Sequence, residues 1–114
     1  QRLCPVQPFF VRKEHSMILV RDVFQLKFGK AREAKALWKK GVVINKRFGP
    51  GPTRAAVDLV GPFYTFVLEG TYKDLADYER ALKKVLGAKE WGGWYRKFMG
   101  LVESGRREIY TILR

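Results

Sequence analysis

The chain reads as one α+β domain, a four-stranded antiparallel sheet with its helices on one face. Three observations predict this. Two-residue and helical periodicities follow one another in the order strand, helix, strand, strand, helix, helix, strand. Glycine and proline punctuate the junctions between these segments. The 114 residues, 46% hydrophobic and 14% aromatic, supply one core rather than two. Charged residues make up 30% of the chain, yet eight Phe, five Tyr and three Trp bring too much apolar area for a disordered polyelectrolyte.

Residues 1–16 mix two prolines, charges and the Phe9-Phe10 pair without periodicity, and read as an arm ahead of a domain spanning 17–114, with Met17 a candidate natural start. Residues 18–28 are rich in β-branched and aromatic types. Val20, Phe24, Leu26 and Phe28 share one parity, and Arg21, Val23, Gln25 and Lys27 the other, which predicts a strand with one oily face. Gly29 breaks it. From Lys30 to Phe48, Ala34, Leu37, Gly41, Ile44 and Phe48 recur at steps of three and four beside Trp38, predicting an amphipathic helix. Gly41 costs that helix about 1 kcal/mol relative to Ala, and Val42-Val43-Ile44 lower its propensity further, so tertiary packing must sustain it.

Gly49-Pro50-Gly51-Pro52 cannot continue a helix. Residues 55–60 then alternate as a second strand, Gly61-Pro62 signals a turn, and Phe63 to Thr71 reads as a third strand returning beside the second, with Gly70 a candidate bulge. Asp74 is placed to cap a helix over 75–86, whose stripe is Leu75, Tyr78, Leu82, Val85 and Leu86, and Gly87 ends it. A further helix over 90–102 gathers Trp91, Trp94, Tyr95, Phe98, Leu101 and Val102. Ser104-Gly105 stops it, and 107–113 alternates as a fourth strand. This order is the split β-α-β arrangement of ferredoxin-like domains. Helices cover only one face of such a sheet, yet apolar residues stand on both parities: Val23 opposes Phe24, Val67 opposes Phe66 and Leu68, and Ile109 opposes Tyr110 and Ile112. A second copy of the chain is the expected cover, giving a two-fold homodimer.

Twenty-three basic against eleven acidic residues give a formal charge of +12. Much of the excess lies between Lys27 and Arg54, where Lys30, Arg32, Lys35, Lys39, Lys40, Lys46 and Arg47 are the candidate contacts for a polyanion. No recognition helix, zinc-finger spacing or aromatic-basic RNA-binding signature accompanies them, so the charge alone supports salt-sensitive, unspecific affinity and otherwise a solvated helix face. The single cysteine, Cys4, excludes an internal disulfide framework and a thiolate metal cluster. The single histidine, His15, excludes a Ser-His-Asp arrangement in the folded domain, and no His/Asp/Glu group has metal-ligand spacing. Two prolines remove backbone donors from the only loop that could cradle phosphate. No apolar run has the roughly 18 residues of a membrane span, and no secretory core stands at the amino end, so a cytoplasmic protein without cofactor, metal or membrane partner is expected.

Three stretches carry a family resemblance: QLKFGKAREAKALWKK (25–40), GPFYTFVLEGTYKDLADYERAL (61–82) and EWGGWYRKFMGLVESGRREIYTI (90–112). The chain resembles the dimeric α/β-barrel superfamily, whose two ferredoxin-like sheets face each other, and within it the bacterial NIPSNAP-like small proteins. The superfamily also includes antibiotic-biosynthesis-type monooxygenases, haem-degrading enzymes, lactone isomerases and stress-response proteins. Haem degradation needs an axial histidine within the barrel, and His15 lies outside the matching stretches.

The resemblance implies a homodimer that binds a small apolar or aromatic molecule between its sheets. The alternatives are a cofactor-independent monooxygenase or isomerase, and a basic dimer that binds nucleic acid or another polyanion. For the first two, the candidate pocket residues are Arg21, Gln25, Asp58, Glu69 and Tyr110, with Trp94 as an apolar wall. Each has a plainer reading: a cross-strand ion pair for Arg21 and Glu69, an exposed strand end for Asp58, core packing for Tyr110 and helix-to-sheet packing for Trp91 and Trp94.

Overall fold

The structure, a computed structural model, describes residues 17–48 and 51–113. The arm at 1–16, with Cys4 and His15, falls outside the described residues. Strands β1 (Met17–Leu26), β2 (Arg54–Val57), β3 (Thr65–Tyr72) and β4 (Val102–Ile112) alternate with helices α1 (Ala31–Arg47), α2 (Leu75–Leu86) and α3 (Lys89–Met99). The strands pair antiparallel in the order β2-β3-β1-β4, so β1 is central, and the predicted split β-α-β sheet is present.

The predicted parities hold on β1. Val20, Phe24 and Leu26 face the helices, opposite Gly70, Phe66 and Val102. With Ala34, Leu68, Trp94, Phe98 and Leu101 they build the core, in which Phe66 and Phe98 are the largest fully enclosed side chains. The Phe98 ring meets Phe24 edge-on at 5.0 Å and Phe66 at 5.8 Å. Phe28 departs from the expectation: it lies beyond the end of β1 and is 73% exposed.

Charge placement favours each helix, with Glu33, Asp77 and Glu90 in the first turns and Lys or Arg in the last. Asp74 caps α2 as predicted, its carboxylate accepting the Asp77 N–H at 2.8 Å. Helix α1 survives its glycine because of packing. A Cβ on Gly41 would stand 2.9 Å from the Trp94 ring, so the glycine admits the indole, whose Nε1–H donates to the Leu37 carbonyl at 2.6 Å.

Several boundaries differ from those the sequence predicts. Strand β2 stops at Val57, and α3 stops at Met99. Strand β4 begins at Val102 and runs through Ser104-Gly105, which pair with Gln25 and Phe24 rather than forming a stop. Gly105 is required there because a Cβ would meet the Phe24 ring at 2.9 Å. Gly70 forms no bulge; it pairs in register with Val20 and lets the Gly51-Pro52 backbone approach closely. The observed irregularity is on the other side of β1, at Gln25/Leu26 against β4.

Candidate functional site

Between the sheet and its helices lies a cleft of about 600 Å³. Its floor is Val20, Phe24, Leu68 and Tyr72 on the strands, and its walls are Tyr78, Ala81 and Val85 of α2 with Trp91, Trp94 and Tyr95 of α3. Helical spacing explains the aromatic wall. Residues 91, 94 and 98 recur at three and four along α3, so Trp91 stacks on Trp94 at 4.5 Å and Trp94 on Phe98 at 5.2 Å. On the other wall Tyr78 meets Tyr72 edge-on at 5.0 Å.

Asp22, Glu103, Arg106 and Arg107 bring charge to this apolar lining. Asp22 and Arg107 are partners across β1 and β4, and Arg107 Nε donates to Asp22 Oδ1 at 2.6 Å. The guanidinium carbon also lies 5.7 Å from the Tyr78 ring centroid. Burial pushes the Tyr72 phenol up to about 12 and raises Tyr78 as well. Arg107 is held protonated by its hydrogen bond to Asp22. The cleft therefore offers aromatic faces, three phenols and an internally compensated ion pair, which suits an uncharged or weakly polar ring system.

The opposite face of the sheet has no helix over it and is organised by charge. Arg21 Nε donates to Glu69 Oε2 at 2.9 Å, and its Nη1 to Glu108 Oε1 at 3.1 Å. Arg54 joins Glu69 at 3.0 Å through its Nε, Arg106 joins Glu108 at 2.8 Å, and the Tyr110 hydroxyl donates to Glu108 at 2.8 Å. The result is a ladder across all four strands. Arg54 and then Arg21 draw the Glu69 carboxyl below the usual carboxylate range, and Arg106 with Tyr110 does the same for Glu108. Leu19, Val23 and Val67 share this face by register.

Of the six pocket residues nominated from sequence, the structure thus brings Arg21, Glu69 and Tyr110 together on the open face. Gln25 is on the same face at the end of β1, where its amide donates to the Phe63 carbonyl at 3.2 Å. Asp58 closes the β2–β3 connection, its Oδ1 accepting the Thr65 N–H at 2.9 Å. Trp94 is not with them: it lies on the helix side and walls the cleft there, because α3 packs against α1 and the sheet through it. The cleft itself is on the helix side, not between two sheets against Gln25, Glu69 and Tyr110 as the sequence implied, because α2 and α3 leave space over the strands there.

The sequence reading missed Asp22, Tyr72 and Arg107. Asp22 had a signal, being the one acid on the oily parity of β1; Arg107 follows only from the β1–β4 register. Of the seven polyanion candidates, Arg32, Lys35, Lys39, Lys40, Lys46 and Arg47 are exposed and Lys30 is half-buried. Lys30 pairs with Glu33 at 3.2 Å, and Arg47 with Glu90 at 2.6 Å.

Sheet order, helix placement and the cleft beneath α2 and α3 define a ferredoxin-like α+β domain. Solved NIPSNAP-family structures share this fold. A NIPSNAP family protein from Agrobacterium tumefaciens is 20% identical, with a TM-score of 0.79 over 85% of this chain and 86% of that one. An uncharacterized NIPSNAP-like domain protein from Burkholderia xenovorans is 23% identical, with a TM-score of 0.78 over 85% of each chain. SnoaB, a cofactor-independent oxygenase from Streptomyces nogalater, is 14% identical, with a TM-score of 0.59 over 87% of this chain and 94% of that one. No family model and no curated protein matches the chain. No helix among the described residues is long and apolar enough to cross a membrane.

Proposed function

We propose that this chain is a NIPSNAP-like homodimeric protein that binds a small apolar or aromatic molecule in the cleft beneath its helices. The observation that carries the reading is the lining: Tyr72, Tyr78, Trp91, Trp94 and Tyr95 converge on one space of about 600 Å³, within the volume range of small-molecule sites. The Asp22–Arg107 pair is self-compensated, so affinity rests on apolar contact with hydrogen bonds from the phenols rather than on net charge. Support for the dimer comes from the other side of the sheet. Leu19 and Val67 stand half-buried there with the ionic ladder, Val23 being already enclosed, and a two-fold partner presenting the same pattern would cover them.

Titration with N-phenyl-1-naphthylamine, a neutral aromatic whose emission rises on burial, tests the pocket. Saturable binding that changes little between low and physiological salt is expected, with loss of at least about tenfold in affinity for Leu82→Trp, which narrows the cleft from α2. Equal affinity in a folded Leu82→Trp variant removes the cleft as the site. Light scattering on the same samples is expected to give twice the chain mass.

A cofactor-independent oxygenase or isomerase is the second reading, and the observation favouring it is Asp22, a carboxylate within reach of an aromatic occupant. Its role would be to accept a proton, which requires release from Arg107.

A further inference from the structure

We propose that the end of the sheet built from the turn after β1 and the β2–β3 connection docks on an anionic lipid surface. Leu59 is 97% exposed, Val60 93%, Phe28 73% and Phe63 71%. They come from two adjoining loops at one end of the sheet, joined through their aromatic members. The Phe28 ring stands edge-on to Phe63 at 6.2 Å and lies 5.0 Å from Tyr64. Single wet apolar side chains are ordinary; four on one projecting end are not.

The patch is held in place rather than left slack. Leu26 N–H donates to the Tyr64 carbonyl at 2.8 Å, Asp58 N–H to the Thr65 carbonyl at 3.2 Å, and the Asp58 carboxylate takes the Thr65 N–H in return. Gln25 grips the Phe63 carbonyl. Tyr64 has φ +58°, a left-handed conformation that non-glycine residues adopt at a cost. The connection therefore keeps a strained residue while Leu59, Val60 and Phe63 point to solvent.

Charge selects the partner. Lys27 precedes Phe28, and α1 leaves the same end carrying Lys30, Arg32, Lys35, Lys39 and Lys40, with Glu33 the only acid among them. Asp58, at the base of the tip, is occupied by the Thr65 N–H. An apolar projection flanked by cations is what an anionic bilayer rewards: the side chains enter the interfacial layer and the basic helix meets the headgroups. Nucleic acid would engage the cations and stack on Phe28 and Phe63, but it leaves Leu59 and Val60, the most exposed side chains of the tip, without an apolar partner.

Co-sedimentation of the full chain with vesicles of phosphatidylcholine, and of equimolar phosphatidylcholine and phosphatidylglycerol, tests the proposal. Binding to the anionic vesicles alone is expected. It should weaken about tenfold or more in Leu59→Ser/Val60→Ser/Phe63→Ser and in Lys35→Glu/Lys39→Glu. Because the triple substitution alters a structured loop, Phe63→Trp provides a second readout in an otherwise intact protein: its emission, after subtraction of the wild type's three native tryptophans, should shift to the blue with anionic vesicles and be quenched by brominated lipid. Three results overturn the proposal: full binding by the triple-serine variant, an unshifted Phe63→Trp spectrum in the pelleted protein, or a triple-serine variant whose changed property is its oligomeric mass. The last would assign the tip to a second copy of the chain. The naphthylamine titration is independent of each of these outcomes.

Discussion

On the helix-facing side of the sheet, Val20, Phe24, Phe66 and Leu68 are packed by side chains from all three helices, and Asp22 pairs with Arg107 among them. One residue along each strand, on the other side, Arg21, Glu69 and Glu108 hold one another through arginine–carboxylate contacts reachable by water. The same backbone thus carries two kinds of cohesion. Apolar packing is sensitive to volume and indifferent to pH and salt, whereas the ladder is sensitive to both and nearly indifferent to volume. The first side keeps a cleft of small-molecule size because helices cannot tile a sheet without gaps, and there we propose a ligand; for the second side we propose a second copy of the chain.

Mutations should separate the two sides. The largest effect is expected from Phe98→Ala, which empties the meeting point of Phe24, Phe66 and Trp94 and should cost about 3–5 kcal/mol in urea unfolding. A loss comparable to a surface substitution would mean that the helix side is loosely packed. Next comes Gly41→Ala. Helix propensity alone predicts a gain of about 1 kcal/mol, but the new methyl would press on the Trp94 ring, so a loss of about 1–3 kcal/mol is expected. A gain would show that the indole can yield.

The smallest effect belongs to the open side. Glu69→Gln should cost about 1 kcal/mol or less at neutral pH, because the ladder is partly solvated. Its pH dependence is the sharper readout. The folded-state pKa of Glu69 lies below its ordinary value, so the ladder's contribution is complete above that ordinary value and disappears as pH falls through the depressed one. The wild type and Glu69→Gln should therefore converge in acid, when followed by thermal melts across pH, whereas Phe98→Ala should stay apart from wild type throughout that range.

Much of this two-sidedness was legible in the sequence. The alternation of β1 assigned Val20 and Phe24 to one side and Arg21 and Gln25 to the other, and Asp74 with Gly87 bounded α2 to the residue, although Leu75 and Leu86 of its predicted stripe are exposed and Ala81 is buried in their stead. Strand β4 was read too short because Glu103, Ser104 and Arg106 have no apolar alternation; they are in the sheet by virtue of pairing with β1, a long-range contact that no local window contains. The same limit explains the site. Arg21, Glu69 and Tyr110, nominated as pocket lining, stand together in the ladder instead, and the cleft depends on how α2 and α3 sit over the strands; periodicity says which stripe of a helix is buried without saying how closely neighbouring stripes meet.

Trp91 and Trp94 line the cleft, and Trp94 is also bonded through its indole nitrogen to α1. Two of the three indoles in the chain therefore stand where an occupant would arrive, while Trp38 resides on α1 away from that lining. The molecule carries its own optical gauge: native ultraviolet emission, read without label or engineered probe, reports directly on whether the chamber is filled.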